Sequence, residues 1–264
     1  MGAVIRYIAY LSENPQRQAD FYHRFLGTEG IGRSPDGDVS ITDGFFNLTF
    51  FKTRPGLVEP RMDLGLNHVG LQVEDLADVE RRYRAHRPRG PVVEEPGDIH
   101  HGQLRIHDPD GNPVTLSADS FGVDGRRQQV PGIRHVAFDA IDTDAMLEFY
   151  TEVLGLPELG TSFERRRQGR QNRFAGDGFT NLAIHPFYSS SDGHEMRMGV
   201  NHIGFLVADL KGITDDLGQI GPIAARPADR PFAEVRFTDP DGNRIDLSQH
   251  KGWEVAPDRW GRGA

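Results

Sequence analysis

Two histidines and one aspartate in the second half of the chain have residue types and positions that suit a metal site. His135, His202 and Asp246 each lie in a short segment in which polar and apolar residues alternate. Because successive side chains of a strand point to opposite faces, the apolar neighbours define one face and these three side chains the other. We expect the apolar faces to pack on helices and the three polar groups to converge on the other side of a curved sheet.

A set of two imidazoles and one carboxylate leaves some coordination positions of a metal ion open. Such a set is typical of non-haem Fe(II), and Zn, Ni, Co and Mn are chemically compatible with it. An open position allows a substrate or O₂ to bind the ion directly. Thiolate sites are excluded, because the chain has no cysteine. A lone histidine in a strand is more often a structural residue, but the three donors together predict a divalent metal, with Fe(II) favoured.

The elements that carry these residues are present twice in the sequence. Five blocks recur in the same order, offset by 128 to 134 residues. A repeat of this kind predicts an internal duplication. The matched blocks are Ile5–Tyr10 with Ile133–Phe138, Phe21–Gly27 with Phe149–Gly155, Asp43–Leu48 with Asp177–Leu182, Asn67–Leu76 with Asn201–Leu210, and Leu104–Ser117 with Val235–Ser248.

Each half of the duplication has the pattern of two βαβββ modules. The first helix of each half is expected over residues 14–26 and 142–154. Further helices should begin near Asp75 and Asp209. The repeated DPDGN sequence is typical of a turn between the last two strands, because Gly and Asn tolerate positive φ. The predicted fold class is therefore α+β, with four βαβββ modules.

The modules group into two domains joined by a polar segment. Trp253 and Trp260 lie beyond the last strand, in a tail that we expect to pack on the body of the protein. We predict an N-terminal domain over residues 1–119, a linker over 120–132, a C-terminal domain over 133–250 and the tail over 251–264.

The first half lacks most of the metal donors of the second. His68 matches one predicted ligand, but Tyr7 and Thr115 stand where the other histidine and the carboxylate would be. With one donor of three, a metal site is not expected there. We interpret His68 as a structural or pocket residue.

Charge and hydropathy limit the partners of this chain. The formal net charge of the 264 residues is −9 at pH 7, and no basic block is present, which argues against nucleic acid and anionic membranes as partners. No stretch approaches the roughly 18 consecutive apolar residues of a membrane helix, and the N-terminus lacks a signal-peptide pattern. We expect a cytoplasmic protein that binds a small molecule, and a homodimer is compatible with the paired modules.

At the residues quoted above the sequence resembles the vicinal oxygen chelate superfamily, which includes glyoxalases, bleomycin-resistance proteins and extradiol ring-cleaving dioxygenases. The resemblance covers nearly the whole chain, through both NHxGxxV strands, both DPDGN turns and both FYxxxLG helix ends. It implies two tandem glyoxalase-like domains with U-shaped mixed sheets around a metal. It also implies a substrate or intermediate that binds through vicinal oxygen atoms.

Within this superfamily, the four-module plan with a degraded first half is most similar to the extradiol dioxygenases. Their two histidines open the third and fourth modules and their carboxylate lies on the last strand, which corresponds here to His135, His202 and Asp246. Two departures stand out. The family carboxylate is usually a glutamate, one methylene longer than Asp246, and the position of its acid/base histidine falls near Thr180 and Asn181.

Asn181 and His185 are the candidate catalytic residues. Asn181 lies where glyoxalases place a further carboxylate ligand, so the resemblance implies weak metal ligation or a hydrogen bond to substrate. His185 lies four residues later, on the same strand face by alternation, and an imidazole is a suitable general base near neutral pH. An exposed His185 and a structural Asn181, which Asn47 repeats in the first half, are equally compatible with the sequence.

Three classes of function follow from the resemblance. The first choice is a metal-dependent, extradiol-type dioxygenase acting on a small aromatic or vicinal-oxygen substrate. The second is a glyoxalase-like isomerase, lyase or epimerase, for which Zn or Ni would serve. The third is a metal-free binding or resistance protein. Bound metal distinguishes the third class from the other two, and oxygen uptake distinguishes the first from the second.

Overall fold

The computed structural model describes most of the chain. Two predicted segments lie partly outside the described residues: positions 124 and 126–129 of the linker, and positions 252 and 254–264 of the tail, which include Trp260. The domain boundaries given above stay predictions. The described residues are 2–54, 64–86, 90–94, 101–123, 125, 130–159, 171–187, 199–228, 232–251 and 253.

The described residues of the first half form one mixed sheet of eight strands with two helices. The strands are arranged in the order β2-β3-β4-β1-β5-β8-β7-β6. The elements are β1 (Val4–Ser12), α1 (Pro15–Leu26), β2 (Glu29–Arg33), β3 (Val39–Thr42), β4 (Asn47–Lys52), β5 (Gly65–Gln72), α2 (Leu76–Ala85), β6 (Val93–Glu94), β7 (Leu104–His107) and β8 (Pro113–Ser117).

In its described residues, the second half repeats this plan in a sheet of seven strands, in the order β10-β11-β9-β12-β15-β14-β13. Where the first half has β2, the described residues of the second have an isolated bridge between Glu158 and Ala175. The elements are β9 (Gly132–Ala140), α3 (Thr143–Glu148) continuing as a π-helical turn (Phe149–Val153), β10 (Arg173–Gly176), β11 (Asn181–Pro186), β12 (Gly199–Leu206), α4 (Leu210–Leu217), β13 (Ala224–Ala225), β14 (Val235–Thr238) and β15 (Arg244–Ser248).

Corresponding strands pair in the same way in the two halves. β1 is parallel to β4 and antiparallel to β5, which is parallel to β8. β9, β11, β12 and β15 repeat these three pairings. The duplication and the α+β class predicted from the sequence are therefore confirmed. None of the helices in the part of the chain described here is long and apolar enough to cross a membrane.

The helices begin where the sequence predicted. The side chains of Asn14, Asp75, Asp142 and Asp209 each accept a backbone N–H of the first helical turn. These bonds satisfy donors that a helix start leaves free. Gly155 follows the π-helical turn with a φ of +71°, a conformation that glycine adopts without steric cost.

The strand faces also follow the predicted alternation. Apolar side chains of β9, β12 and β15 belong to a core that continues through both halves and includes residues of the helices. His135, His202 and Asp246 lie between these core positions along their strands, and so on the opposite face. The core-facing residues are Val136, Phe138, Ile203, Phe205, Ile245 and Leu247.

Two aspartates tie the halves together. Asp43 Oδ2 accepts the backbone N–H of Ile133 at 2.7 Å, and Asp177 Oδ2 accepts that of Ile5 at 2.9 Å. Each aspartate thus binds the start of the first strand of the other half. The two sheets are held in a fixed relation by these reciprocal bonds and by the common core.

Candidate metal centre

The three predicted ligands lie on neighbouring strands β9, β12 and β15. The ring centroids of His135 and His202 are 5.1 Å apart, and His202 Nε2 is 3.6 Å from Asp246 Oδ2. All three side chains are buried. We call the face of the second sheet that carries them the second cup, and the equivalent face of the first sheet, which carries Tyr7 and His68, the first cup.

A chain of hydrogen bonds fixes the orientation of His202. Asn201 Nδ2 donates to Asp139 Oδ2 at 2.6 Å, so the amide oxygen Oδ1 is the atom that faces the imidazole, 2.8 Å from His202 Nδ1. Because an amide oxygen only accepts, Nδ1 carries the proton and the neutral ring has its lone pair on Nε2. That lone pair faces Asp246. A ligating histidine is commonly oriented by a partner of this kind.

The two imidazoles are neutral at neutral pH. Burial lowers the pKa of both well below 6.5, and the nearby charge of Arg236 lowers it further. At His135 the neighbouring His185 also lowers the pKa, whereas Asn181 opposes the shift. Neutral imidazole is the form that binds a metal. Within the described residues, His135 Nδ1 is buried and has no hydrogen-bond partner.

The carboxylate of Asp246 is held by Arg236 of the adjacent strand. β14 and β15 are antiparallel and pair these two residues directly. Arg236 Nε lies 2.5 Å from Oδ1 and Nη2 lies 2.9 Å from Oδ2, a two-pronged ion pair. In this arrangement, no three His, Asp or Glu side chains of the described segments are grouped so that they could hold a metal ion.

The chemistry of the donor set nevertheless fits a divalent cation. Two neutral imidazoles and one carboxylate are suitable ligands. His202 Nε2 and Asp246 Oδ2 are both acceptors and face each other at 3.6 Å. Because two acceptors repel each other, this contact is favourable only when a positively charged group lies next to them. In the structure Arg236 supplies that charge. The predicted ligands are therefore brought together, and a guanidinium is bound to the predicted carboxylate ligand.

Trp253 fills the space beside His135. The two rings stack with centroids 5.5 Å apart and planes inclined by 13°, and the indole is fully buried. Gly204 of β12 lies under the indole, and a Cβ at that position would overlap it. Glycine is thus required there by the close approach of the ring. Trp253 therefore packs inside the second cup, against His135 and Gly204.

Both candidate catalytic residues lie on β11 beside these ligands. Asn181 is fully buried and pairs with His135 in the parallel register of β9 and β11. The ring of His185 stacks over that of His202, with centroids 6.3 Å apart and planes 10° apart. The structure places them within the second cup. Their part in catalysis stays a prediction.

The first cup has the same positions with different chemistry. Phe121 stacks on Tyr7 with ring centroids 5.1 Å apart. His68 Nδ1 lies 2.7 Å from Asn67 Oδ1, and its Nε2 lies 3.1 Å from Thr115 Oγ1. The hydroxyl of Thr115 can donate to the lone pair on His68 Nε2. No cation is therefore needed between His68 and Thr115. These contacts agree with the interpretation of His68 as a structural residue.

The positions of Arg236 and Trp253 were not predicted from the sequence. Arg236 meets Asp246 because the DPDGN turn sets the register of the β14–β15 hairpin, and counting outward from that turn pairs the two residues. Trp253 was expected only to pack on the body. Phe121 and Trp253 each follow the last strand of their half by a few residues. This match between the two halves is the sequence signal that could have placed Trp253 in a cup.

The family of the chain is shown by its sequence. The model of the glyoxalase/bleomycin resistance protein/dioxygenase superfamily matches residues 4–116 and 132–247, once in each half. The chain belongs to this superfamily. The two tandem glyoxalase-like domains that the resemblance implied are therefore confirmed. No curated protein matches the chain in sequence.

Solved structures of this superfamily share the fold over nearly the whole chain. The 2,3-dioxygenase LapB from Pseudomonas sp. KL28 is 15% identical, with 94% of this chain and 92% of that chain covered and a TM-score of 0.68. The Mn(II)-bound glyoxalase from Novosphingobium aromaticivorans is 18% identical, with 94% and 83% covered and a TM-score of 0.69. Homoprotocatechuate 2,3-dioxygenase from Brevibacterium fuscum, in complex with 3,4-dihydroxyphenylacetate, is 15% identical, with 93% and 80% covered and a TM-score of 0.67. At these identities the likeness concerns the fold.

Proposed function

We propose that the second cup binds a divalent metal, with Fe(II) favoured, and acts on a small aromatic or vicinal-oxygen substrate as an extradiol-type dioxygenase. One observation carries the proposal. His135, His202 and Asp246 meet on three adjacent strands, and the Nε2 lone pair of His202 faces the Asp246 carboxylate at 3.6 Å. Neutral, buried imidazoles and a carboxylate are the donors that such a metal takes.

The structural relatives support this choice of chemistry. Two of those described are 2,3-dioxygenases, and one of these is in complex with 3,4-dihydroxyphenylacetate, whose hydroxyl oxygens are vicinal. A third is a Mn(II)-bound glyoxalase. A small molecule with two adjacent oxygen atoms is therefore the proposed substrate class.

The residues of the second cup have distinct parts in this proposal. A bound metal supplies Lewis acidity and orients the substrate oxygens. His135, His202 and Asp246 hold it. His185 accepts the proton that a substrate hydroxyl loses, since its ring lies beside that of His202. Asn181 cannot titrate, so it hydrogen-bonds and orients the substrate. Burial of the three ligands and of Asn181 excludes water and strengthens their electrostatic interactions.

Metal content is the first test of the proposal. We expect protein reconstituted with Fe(II) or Mn(II) to retain close to one equivalent after desalting. D246A and H135A should lose it, whereas T115A, which changes the corresponding position of the first cup, should retain it. Equal retention by D246A and T115A would show that the metal, if bound, lies elsewhere. No retention by wild-type protein would favour the metal-free binding class.

Oxygen dependence separates the two enzyme classes. With a panel of catechols, an extradiol-type enzyme consumes O₂ and forms a coloured ring-cleavage product. H185A should retain metal but lose most of this turnover if His185 is the proton acceptor. A glyoxalase-like isomerase or lyase, favoured by the fold of the Mn(II)-bound relative, would turn over its substrate without O₂. Anaerobic turnover would therefore contradict the dioxygenase assignment.

A further inference from the structure

Arg236 has a position that relates it directly to the candidate metal. Its guanidinium binds both oxygens of Asp246, and the two residues are paired across the β14–β15 hairpin. Both side chains are buried, with 11% of Arg236 and 5% of Asp246 exposed. A two-pronged, buried ion pair holds its carboxylate firmly in one orientation.

The guanidinium and a metal would act on the same carboxylate. With Arg236 bound, the donors of the second cup are not grouped to hold a metal ion among the residues that the structure describes. His202 Nε2 faces Asp246 Oδ2 at 3.6 Å, and Oδ2 is the oxygen to which Arg236 Nη2 donates. A cation held between His202 Nε2 and Asp246 Oδ2 would therefore compete with Arg236 Nη2 for the same carboxylate oxygen.

An arginine stands at this position of the hairpin in both cups, whereas the acid opposite it is present only in the second. Arg105 occupies the equivalent position on β7, and the residue opposite it on β8 is Thr115. His68 there meets the threonine hydroxyl at 3.1 Å. The acid and its competing cation occur together only in the cup that carries two histidines.

We infer that Arg236 is a built-in competitor of the metal ion, which holds Asp246 in the metal-free protein and must release it when a cation binds. The inference rests on the proposed function and names the residue that sets the metal affinity of the site. Arg236 thereby also favours cations that bind strongly enough to displace a guanidinium. In the released state it remains in the second cup as a positive charge.

The alternative role of Arg236 predicts a result of opposite sign. If the guanidinium oriented Asp246 as an outer partner of a bound metal, its removal would weaken metal binding by roughly 10–100-fold. If it competes, its removal strengthens binding. The sign of the change in metal affinity therefore decides between the two roles.

The experiment is a titration of the metal-free full-length protein with Co²⁺, followed by isothermal calorimetry and by the visible absorption of the bound ion. R236Q removes the charge and retains a hydrogen-bonding amide. We expect R236Q to bind Co²⁺ at least about tenfold more tightly than wild type, because the ion no longer competes with the guanidinium for Asp246. A tenfold gain in affinity corresponds to about 1.4 kcal/mol of binding free energy. R105Q, the matched change in the first cup, should leave the affinity unchanged.

R236K is a second variant, which tests the inference if R236Q does not fold. Lysine keeps the charge but cannot bind two oxygens in parallel, so we expect Co²⁺ affinity between those of wild type and R236Q. Weaker or equal binding by R236Q, or by R236K where R236Q does not fold, overturns the inference and leaves the proposed function standing if wild type binds the ion. Binding by R236Q alone supports the inference and contradicts the proposed function of the wild-type site. Absence of binding in every protein overturns both.

Discussion

At the scale of single residues, the partners of Asp246 decide the state of the second cup. Two unit charges 4 Å apart interact by about 4 kcal/mol at an effective dielectric constant of about 20, and a divalent ion doubles this figure. A guanidinium and a divalent cation on one carboxylate would therefore repel each other substantially. The ion pair of Arg236 with Asp246 and the binding of a metal by Asp246 therefore oppose each other.

Asn201 offers a test of how the imidazole is oriented. N201A removes the oxygen that faces His202 Nδ1 at 2.8 Å, so the proton is free to move to Nε2 and the ring to rotate. We predict a loss of roughly 10–100-fold in metal affinity, measured by competition with a chromophoric chelator. N67A removes the corresponding partner of His68 in the first cup and should leave the affinity unchanged. Equal effects of the two variants would contradict the assignment of the site to the second cup.

At the scale of elements, the segment after the last strand of each half places an aromatic ring in a cup. Phe121 and Trp253 are both fully buried, and both have positive φ, at +56° and +53°. A positive φ is uncommon for such bulky residues. The same unusual backbone conformation in both copies, with a ring stacked on the first strand, indicates that filling the cup is a property of the repeat.

Removal of the indole should therefore open the second cup. We predict that W253A lowers the free energy of unfolding by about 3–5 kcal/mol, as measured by urea denaturation. Added indole should restore part of the loss, because the space left by the side chain fits the group that was removed. F121A should lower the free energy of unfolding by a similar amount. Indole should not restore this loss, because the cavity left by Phe121 fits only a phenyl ring. A loss below about 1 kcal/mol in W253A would contradict the packing described.

The sequence was informative about elements and less so about pairs of side chains. Helix starts at Asn14 and Asp209 follow from local capping chemistry, and strand faces follow from alternation, so both were predicted correctly. The approach of Arg236 to Asp246 depends on register across a hairpin, which alternation does not specify. The insertion of Trp253 depends on the path of an irregular segment, for which no periodic signal exists.

At the scale of the whole molecule, the DPDGN turn of each half contacts the other half. Tyr22 of α1 donates to Asp239 Oδ2 at 3.1 Å, and the N–H of Ile141 donates to Asp110 Oδ2 at 3.0 Å. Burial raises the pKa of Asp239 to about 6 and that of Asp108, in the other turn, to about 7. The junction of the halves thus contains two buried carboxyl groups whose pKa is raised in the folded protein.

This junction predicts a dependence of stability on pH. The folded protein binds the proton of Asp108 more tightly than the unfolded chain, whose carboxyl has an ordinary pKa near 3.8. The associated stabilisation is complete below about pH 4 and is lost as pH rises to about 7. D108N carries no such proton, so its free energy of unfolding relative to wild type should increase by on the order of 1–4 kcal/mol between pH 4.5 and pH 8. A difference that is constant with pH would contradict the raised pKa of Asp108.

We propose the second cup, and not the first, as the metal centre of this duplicated protein, and this proposal can be tested on the protein itself. It is tested most directly by anomalous diffraction from crystals grown with Co²⁺, recorded at the metal edge. We expect one strong peak per chain, bounded by His135, His202 and Asp246, with the guanidinium of Arg236 withdrawn from the carboxylate. A second cup without a peak, in which Arg236 still binds both oxygens of Asp246, would contradict it.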